Sequence, residues 1–503
     1  MFNTEALAFL LYLCLVVGIG IYFFVKSKRD TEGEKGYFLG GRQMKGMVAA
    51  LSAGASDMSA WVLMGLPGSI YLYGMGQVWI SVGLLIGTVC AWIFVAPRLR
   101  RLSIYANDAI TIPQYLTNRF MSKSKTLQII CAVIFMIAYC VYSASSIVAC
   151  GSLFNQVFGM DEKVAMIGAT IIILLYTFLG GFNAVCWTDF FQGLLMLMAL
   201  MAVPIIASVL MGRPDFAPAS VVETSENYYN FLSSGKLDWK SIADILSGLG
   251  WGLGYMGMPH ILIRYMSIKS EAEMKKSRII GSFWTAIILA MATVVGLVGH
   301  EFLGSALDND SKSLVFINMV RTIFSGNGLL LFIAGILLSA ILAASMSTAD
   351  SQLLASSSAF SSDVYKPIFR KGASDREMLW AGRIVVAIIA VIAFFIASSP
   401  GTGGIMALVE CAWGAFGAAF GPTILLSLFW KRFTYKGAIA GIVTGFLVDA
   451  LWYAFLSTPT GLYEIVPGFI CSLIAAVIVT LCDKEPSKEV QDLFDHAKVE
   501  MKE

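Results

Sequence analysis

Leu51-Ser-Ala-Gly-Ala-Ser-Asp-Met-Ser-Ala-Trp61 lies in the middle of a long apolar stretch, residues 47–74, and is the segment that decides the fold. Its small and polar residues, with an acid at Asp57, suit an uninterrupted helix in hydrocarbon poorly. We therefore predict that the helix breaks here and exposes backbone groups. The alternative is that the small residues only allow neighbouring helices to pack closely.

A second run of the same kind is Gly248-Leu-Gly-Trp-Gly-Leu-Gly-Tyr-Met-Gly-Met-Pro259, within the apolar stretch 241–263. The two runs are five spans apart. Both therefore fall in the first helix of a repeat if the chain contains two five-helix repeats related by inversion. This coincidence favours broken helices over simple packing, because interrupted helices of inverted repeats expose backbone groups near the middle of the membrane.

The composition is that of a membrane protein. Of the 503 residues, 57% are hydrophobic and 14% are charged, whereas soluble proteins carry roughly 25% charged residues. Apolar stretches of about 20 residues, the length that a bilayer core demands of a helix, separate the charged clusters. We count thirteen spans: 6–25, 47–74, 77–97, 127–157, 163–180, 183–212, 241–263, 279–304, 328–362, 379–398, 403–430, 436–456 and 465–482. The two longest, 47–74 and 328–362, predict a broken or tilted helix, or one that projects from the bilayer.

Basic residues follow the odd-numbered spans. They are Lys26, Lys28, Arg29, Lys35, Arg42, Lys45, Arg98, Arg100, Arg101, Arg119, Lys123, Lys125, Arg264, Lys269, Lys275, Lys276, Arg278, Lys366, Arg370, Lys371, Arg376, Lys431, Arg432 and Lys436. The loops after the even-numbered spans are poor in basic residues or acidic, as at Asp215, Glu223, Glu226, Asp308 and Asp310. The positive-inside rule then predicts an N-terminus outside the cell and a C-terminus in the cytoplasm.

A third run, Leu338-Ser-Ala-Ile-Leu-Ala-Ala-Ser-Met-Ser-Thr-Ala-Asp-Ser351, places Ala344, Ser347 and Asp350 on one helix face, with Thr348 adjoining it. Hydroxyls beside free carbonyls offer hard, neutral oxygens, which suit an alkali ion better than a divalent one. The alternative is that these hydroxyls only bond the backbone one turn earlier, as is common in membrane helices.

At these three runs the chain resembles the sodium/solute symporter family, and within it the members that carry proline. The resemblance rests on Ser52–Ser59 with Trp61, Leu63–Gly68, Trp251–Tyr255 with Pro259–Ile261, and Leu338–Ala344 with Met346–Thr348. Further matches are Leu39–Arg42, Trp187–Asp189 and Ala415–Pro422, so that it covers residues 15–480. The resemblance implies an all-α polytopic protein of about thirteen transmembrane helices. Its core would be the five-plus-five inverted repeat of the leucine-transporter type.

The resemblance also implies a site and its ligands. Sodium, the co-transported ion, would be held by the carbonyls of Ala55, Met58 and Ala344 and the hydroxyls of Ser347 and Thr348, with Asp57 needed for coupling. L-proline or a similar small solute would be held by Trp61, Tyr142, Trp251, Tyr255, Met258 and Pro259. Asp189 is a candidate for a second cation site, and it could equally anchor a hydrogen-bond network. The aromatic residues alone would more often be packing.

Some residues depart from the family pattern. Met258 stands where a related proline carrier has glutamine, so betaine, pantothenate or a sugar stays open as the substrate. Asp350 and Glu410 replace uncharged residues of that relative, and Asp449 lies within the twelfth span. An acid within the membrane is a functional hypothesis by default.

Other classes of function fit the sequence less well. The sequence shows no constellation of a metal enzyme, a nucleophile or a phosphate loop, so we expect no catalytic residues, no resident metal and no enzyme. A channel would require polar rings along a continuous pore, and a transporter-like sensor would normally carry a signalling domain. We expect one transmembrane domain, residues 1–482, with core repeats at about 47–212 and 241–430, and a short polar cytoplasmic tail, 483–503. The expected location is the bacterial inner membrane, with the lipid bilayer as surroundings, no nucleic acid and no obligatory protein partner.

Overall fold

The regular structure of the chain is helical in the part that the computed structural model describes, residues 4–27, 34–179, 181–222, 224–496 and 498. The α-helices are α1 Thr4–Ser27, α2 Glu34–Leu39, α3 Gly46–Asp57, α4 Leu66–Tyr73, α5 Val78–Cys90, α6 Ala96–Tyr105, α7 Ile112–Arg119, α8 Thr126–Phe158, α9 Glu162–Leu179, α10 Phe182–Met211, α11 Trp239–Gly250, α12 Pro259–Ser267, α13 Glu271–Leu303, α14 Val315–Ile323, α15 Gly328–Ser358, α16 Asp375–Ala397, α17 Gly404–Phe429, α18 Tyr435–Phe455, α19 Ser457–Thr460, α20 Ile465–Cys482 and α21 Lys488–His496. Segments of 3₁₀-helix lie at Gly40–Arg42, Gly74–Gln77, Trp251–Met256 and Lys312–Leu314, and π-helical turns at Trp61–Gly65, Ala91–Val95 and Ala359–Phe369. Within these ranges the only β-pairing is an isolated bridge between Met44 and Ile268.

The predicted all-helical, polytopic architecture is confirmed. Ten helical stretches in the described ranges are long and apolar enough to cross a membrane. The count of thirteen spans stays a prediction, because length and composition alone pick out ten. Lys28, Arg29, Glu223 and residues 497 and 499–503, which belong to the charge pattern and the tail, lie outside the described residues.

Apolar side chains on the outer surface show which faces meet lipid. On α16 the exposed residues Ile384, Ile388, Val391 and Phe395 recur at helical spacing and form one stripe. A stripe of this kind would be costly in water, but it is the expected outer face of a membrane helix, whose backbone groups are already satisfied. Polar residues such as Asp57, Asp189 and Ser347 are instead buried inside the bundle.

Of the two long spans, the first is broken and the second is continuous. Helix α3 ends at Asp57, and Met58 leaves helical geometry with φ −83° and ψ 74° before the chain turns helical again at Trp61–Gly65. By contrast, the 42 residues Gly328–Phe369 form one helical stretch without an interruption, the last turns of which are π-helical. The second long span is therefore one continuous helix.

The two interrupted helices lie in the interior and pack on different partners. Helix α3 contacts α10, α12, α13 and α15, while the 3₁₀ segment Trp251–Met256 packs against α5 and α17. Close approach explains the glycines of the second break: a Cβ at Gly252 would lie 2.2 Å from the carbonyl oxygen of Gly83. A side chain there would push α5 away from the site.

One charge of the predicted cytoplasmic clusters has a different place. Arg264 was expected in the loop after the seventh span, but it lies within α12, is 2% exposed and pairs with Asp189. The prediction was wrong for this residue because α12 continues for eight residues past Pro259. Helix α12 packs against α3 and α6, which gives Arg264 a buried position.

The C-terminal tail contains a docked helix. Arg119, which is fully buried, donates a hydrogen bond to the carbonyl of Val490 (3.2 Å), and its guanidinium lies 5.1 Å from the ring of Phe494. The side chains of Val490 and Phe494, both on α21, are buried. The polar tail of the sequence thus includes an amphipathic helix held against the bundle.

Candidate transport site

The first break leaves carbonyl oxygens of α3 without helical partners, since the last turn of any helix has no following amides to bond. Met58 N still bonds Gly54 O (2.8 Å), and side chains from elsewhere supply donors to the other carbonyls. The indole Nε1 of Trp61 and the hydroxyl of Tyr142 both donate to the carbonyl of Asp57, at 3.1 Å and 3.4 Å. Tyr142 is thus brought to the break from α8.

Ser347 on α15 joins the two segments predicted to hold an ion. Its Oγ lies 2.9 Å from the carbonyl oxygen of Ala55 and 3.0 Å from that of Ala344. A serine hydroxyl has one donor hydrogen, so it can satisfy only one of these two carbonyls at a time. The neighbouring hydroxyl oxygen of Thr348 is buried and has no hydrogen-bond partner among the described residues. These buried oxygens outnumber the donor hydrogens available to them. A bound cation would satisfy the oxygens that lack a hydrogen-bond donor.

The carboxyl group of Asp57 is linked to the second break. Its Oδ2 accepts a hydrogen bond from the hydroxyl of Tyr255, while Oδ1 has no partner among the described residues. Asp57 is 1% exposed and Tyr255 is 2% exposed. An unpaired carboxyl oxygen at this depth is costly, and a functional role for Asp57 stays a prediction.

The second break is built from a 3₁₀ turn, one non-helical glycine and a proline-started helix. Met258 is extended, with φ −73° and ψ 110°, and Pro259 occupies the first turn of α12. Proline suits this position because its fixed φ matches a helix and its missing amide would have no partner there. Met258 is fully buried, so both predicted residues lie inside the protein.

Aromatic rings connect the two breaks. The ring centroids of Trp61 and Trp251 are 6.1 Å apart, and those of Tyr255 and Trp413 are 5.2 Å apart. Trp413 on α17 also donates from Nε1 to the carbonyl of Trp251 (2.8 Å). Of the predicted rings, Trp61, Trp251 and Tyr255 thus form one buried group.

Two members of this group were missed from the sequence. Trp413 supports Trp251 and Tyr255, and the Tyr463 ring lies 5.2 Å from that of Trp251. Trp413 stands two positions before the matched run Ala415–Pro422, which was a usable signal. No pattern in the sequence pointed to Tyr463.

Asp189 lies in a buried polar network. Its Oδ2 is 3.0 Å from Arg264 Nη2 and accepts a hydrogen bond from Ser52 (2.7 Å). Arg264 also bonds Ser52, Ser351 and the carbonyl of His260. Asp189 Oδ2 is thus part of a buried network with Arg264, while its Oδ1 has no hydrogen-bond partner among the described residues. The network and the second cation site both stay predictions.

The other intramembrane acids singled out in the sequence are Asp350, Glu410 and Asp449. Asp350 is fully buried and accepts a hydrogen bond from Ser351 (3.4 Å). A Cβ at Gly414 would meet Asp449 Oδ1 at 2.7 Å and the side chain of Glu464 at 3.3 Å. The backbone carbonyl of Glu410 accepts from Tyr463, next to Glu464. Asp449 and Glu464 each keep one oxygen without a partner among the described residues.

Comparison with solved structures identifies the architecture. A sodium-coupled sialic acid symporter in a substrate-bound, outward-open state matches with a TM-score of 0.75 at 19% identity, over 96% of this chain and 99% of the other. MhsT in complex with L-phenylalanine matches with a TM-score of 0.55 at 15% identity, over 86% of this chain and 98% of the other. At these identities the likeness shows the fold, and it confirms the predicted leucine-transporter-type class.

Comparison of sequences identifies the family. The sodium/proline symporter of Escherichia coli is 42% identical over 475 residues, 93% of this chain and 92% of the relative. The high-affinity proline transporter of Bacillus subtilis is 39% identical over 478 residues, 95% and 98% of the two chains. The family model described as "Sodium:solute symporter family" matches residues 37–445. With its two interrupted helices and its buried oxygen group, this chain therefore belongs to the sodium:solute symporter family of membrane transporters.

Proposed function

We propose that this protein is a sodium-driven symporter that takes up L-proline across the bacterial cytoplasmic membrane by alternating access. The contact of Ser347 with Ala55 and Ala344 carries the proposal, because it ties α15 to the broken α3 through oxygens alone. The names of relatives at about 40% identity support proline as the substrate. Sodium and proline are both substrates of the transport cycle.

Sodium binds the buried oxygens around Ser347 and Thr348 that lack hydrogen-bond donors. Its ligands are the carbonyls of Ala55, Met58 and Ala344 and the hydroxyls of Ser347 and Thr348. Neutral oxygens hold an alkali ion weakly enough to release it on the other side, which a site of several carboxylates would not do. The Asp57 carboxyl contributes negative charge near the end of α3.

In this proposal the proline pocket lies among the aromatic rings at the two breaks. The apolar pyrrolidine packs against Trp61 and Trp251, and Tyr142 and Tyr255 border the pocket beside Asp57. The proline carboxylate faces the N-terminal end of α12, where Met258 and Pro259 begin the helix and the dipole favours an anion. The secondary ammonium faces carbonyls or a ring.

Coupling follows from the shared elements. An ion between α15 and α3 fixes the first break, and Asp57 and Tyr255 transmit that order to the second break. Sodium then raises proline affinity, and proline must raise sodium affinity by the same factor. A 100 mV potential supplies about 2.3 kcal/mol per ion and a tenfold gradient about 1.4 kcal/mol. Together they sustain roughly 500-fold accumulation.

The proposal also includes the arrangement of the two repeats and their orientation in the membrane. Residues 47–212 and 241–430 form the two inverted repeats, which rock about the site within a single transmembrane domain, 1–482. The N-terminus faces outside and the tail from residue 483 lies in the cytoplasm, as the distribution of basic residues indicates.

Uptake into proteoliposomes tests the proposal. Purified protein in liposomes with an imposed inward sodium gradient should accumulate labelled proline, and uptake should collapse in potassium buffer. Equal uptake driven by a pH gradient in sodium-free buffer would contradict sodium coupling. Preference for a betaine, pantothenate or a sugar over proline would overturn the substrate and leave the transporter class intact. Sodium-dependent binding without uptake would instead indicate a sensor.

A further inference from the structure

A cavity of about 280 Å³ opens at one end of the bundle, away from the transport site. It lies where α6, the start of α13 and the end of α17 meet, and its wall includes Arg98, Lys275 and Phe429. By the charge pattern this end of the helices faces the cytoplasm. None of the residues proposed to bind sodium or proline lines this cavity.

The cavity wall is strongly basic. Arg98 and Arg101 are one turn apart on α6, and Lys275 and Arg278 are one turn apart on α13, so each pair projects from one face of its helix. Lys498 adds a fifth basic side chain. The one acid among the lining residues, Glu271, lies 2.7 Å from Arg101 Nε and 3.5 Å from Arg100. The lining residues thus include five basic side chains and one carboxylate, and Lys498 also pairs with Asp495.

The other side of the cavity is apolar and open to lipid. Ile93, Phe94 and Phe429 line it and are 39%, 54% and 42% exposed. Arg98 connects the two sides, because its guanidinium lies 4.3 Å from the Phe429 ring centroid and donates to the carbonyl of Leu428 (3.1 Å). The guanidinium is therefore held at the boundary between the charged and the apolar wall.

We propose that this cavity binds one anionic phospholipid of the cytoplasmic leaflet. Its phosphate lies between Arg98 and the Lys275/Arg278 pair, and an acyl chain runs along Ile93, Phe94 and Phe429. A basic pocket between membrane helices at the cytoplasmic side has the charge and position that an anionic headgroup requires. A free phosphate would meet the charges but would leave the apolar wall unused. The lipid joins α6 to α13 and α17, and so stabilises the cytoplasmic ends of these helices.

The test compares lipids on the purified full chain in a neutral detergent. Native mass spectrometry should show one retained phosphatidylglycerol, and added phosphatidylglycerol should raise the melting temperature more than phosphatidylcholine or inorganic phosphate. The variant pair Lys275→Gln and Arg278→Gln removes two charges from partly exposed positions. At about 1 kcal/mol per basic residue near a membrane, with 1.4 kcal/mol as a tenfold change, affinity should fall roughly 25-fold.

Two matched controls keep the test decisive. Lys371→Gln with Arg376→Gln removes the same charge from another basic cluster and should leave lipid binding unchanged. Lys275→Arg with Arg278→Lys retains the charge and should retain the lipid. Equal loss in the Lys371/Arg376 control, equal stabilisation by phosphatidylcholine, or protection by inorganic phosphate as strong as that by phosphatidylglycerol would each overturn the proposal. Failure of proline uptake would not bear on it, because lipid binding is measured without transport.

Discussion

The hydroxyl of Tyr255 donates a hydrogen bond to the carboxyl group of Asp57, and these two residues belong to the two separate helix breaks. They are 198 positions apart in the chain, and both are buried. Through this contact the end of α3 and the 3₁₀ turn before α12 share one polar link. The proposed ion-site residues and the aromatic group meet at this link, so it is the contact through which the proposed coupling would act.

Asp57→Asn tests the charge of this link. Asparagine keeps the size and a polar side chain, so it should preserve folding while it removes the negative charge. We expect sodium activation of proline uptake to be largely lost. Tyr255→Phe is the companion variant: it keeps the ring beside Trp413 and removes only the hydroxyl. It should weaken the effect of sodium on proline affinity more than sodium binding itself. Wild-type sodium activation in Asp57→Asn would remove Asp57 from the mechanism.

Ser347→Ala and Thr348→Ala test the ion site. Losing a ligand to a charged group costs about 1.5–3 kcal/mol, so the sodium concentration for half-maximal uptake should rise roughly tenfold or more. Ser345→Ala is the matched control on the same helix, because its hydroxyl bonds the carbonyl of Ile341 one turn earlier and is not one of the proposed sodium ligands. If the Ser347 and Thr348 variants keep the sodium dependence of the Ser345 control, these hydroxyls serve helix packing and the ion binds elsewhere.

Trp251→Ala tests the substrate pocket. Removal of one buried aromatic contact should weaken proline binding by about 1–3 kcal/mol, and sodium binding without proline should change far less. Calorimetry or scintillation proximity measures both. Met258→Gln is the comparison variant: it restores the residue of a related proline carrier and should preserve or improve the selectivity for proline. Unchanged proline affinity in Trp251→Ala would mean that the pocket lies elsewhere.

Asp189→Asn tests whether this acid anchors a network or binds a second cation. The substitution leaves the Arg264 guanidinium buried without its carboxylate, and breaking a buried ion pair costs about 3–5 kcal/mol. We expect a lower melting temperature together with an unchanged Hill coefficient for sodium. A Hill coefficient that falls in the variant, with stability retained, would indicate a second sodium ion at Asp189.

The helical membrane architecture and the two breaks could be predicted from the sequence because they depend on local properties. Span length follows from the bilayer thickness, and a helix is interrupted where small residues, an acid, glycines or a proline weaken it, as at Asp57–Ser59 and at Gly257–Met258. The repeat of hydroxyls at Ser347 and Thr348 is equally local. These features could therefore be predicted from the sequence without knowledge of how the helices pack.

Only the tertiary structure decided which of these residues meet. Ser347 contacts Ala55 across 292 positions, and Trp413 and Tyr463 complete an aromatic group that was incomplete in the sequence. Arg264, expected in a basic loop, became the buried partner of Asp189. Such pairings depend on how whole helices pack, because the partner of a buried charge or hydroxyl is set by the neighbouring helix and not by neighbours along the chain. The sequence by itself determined where the helices break, and packing determined what those breaks enclose.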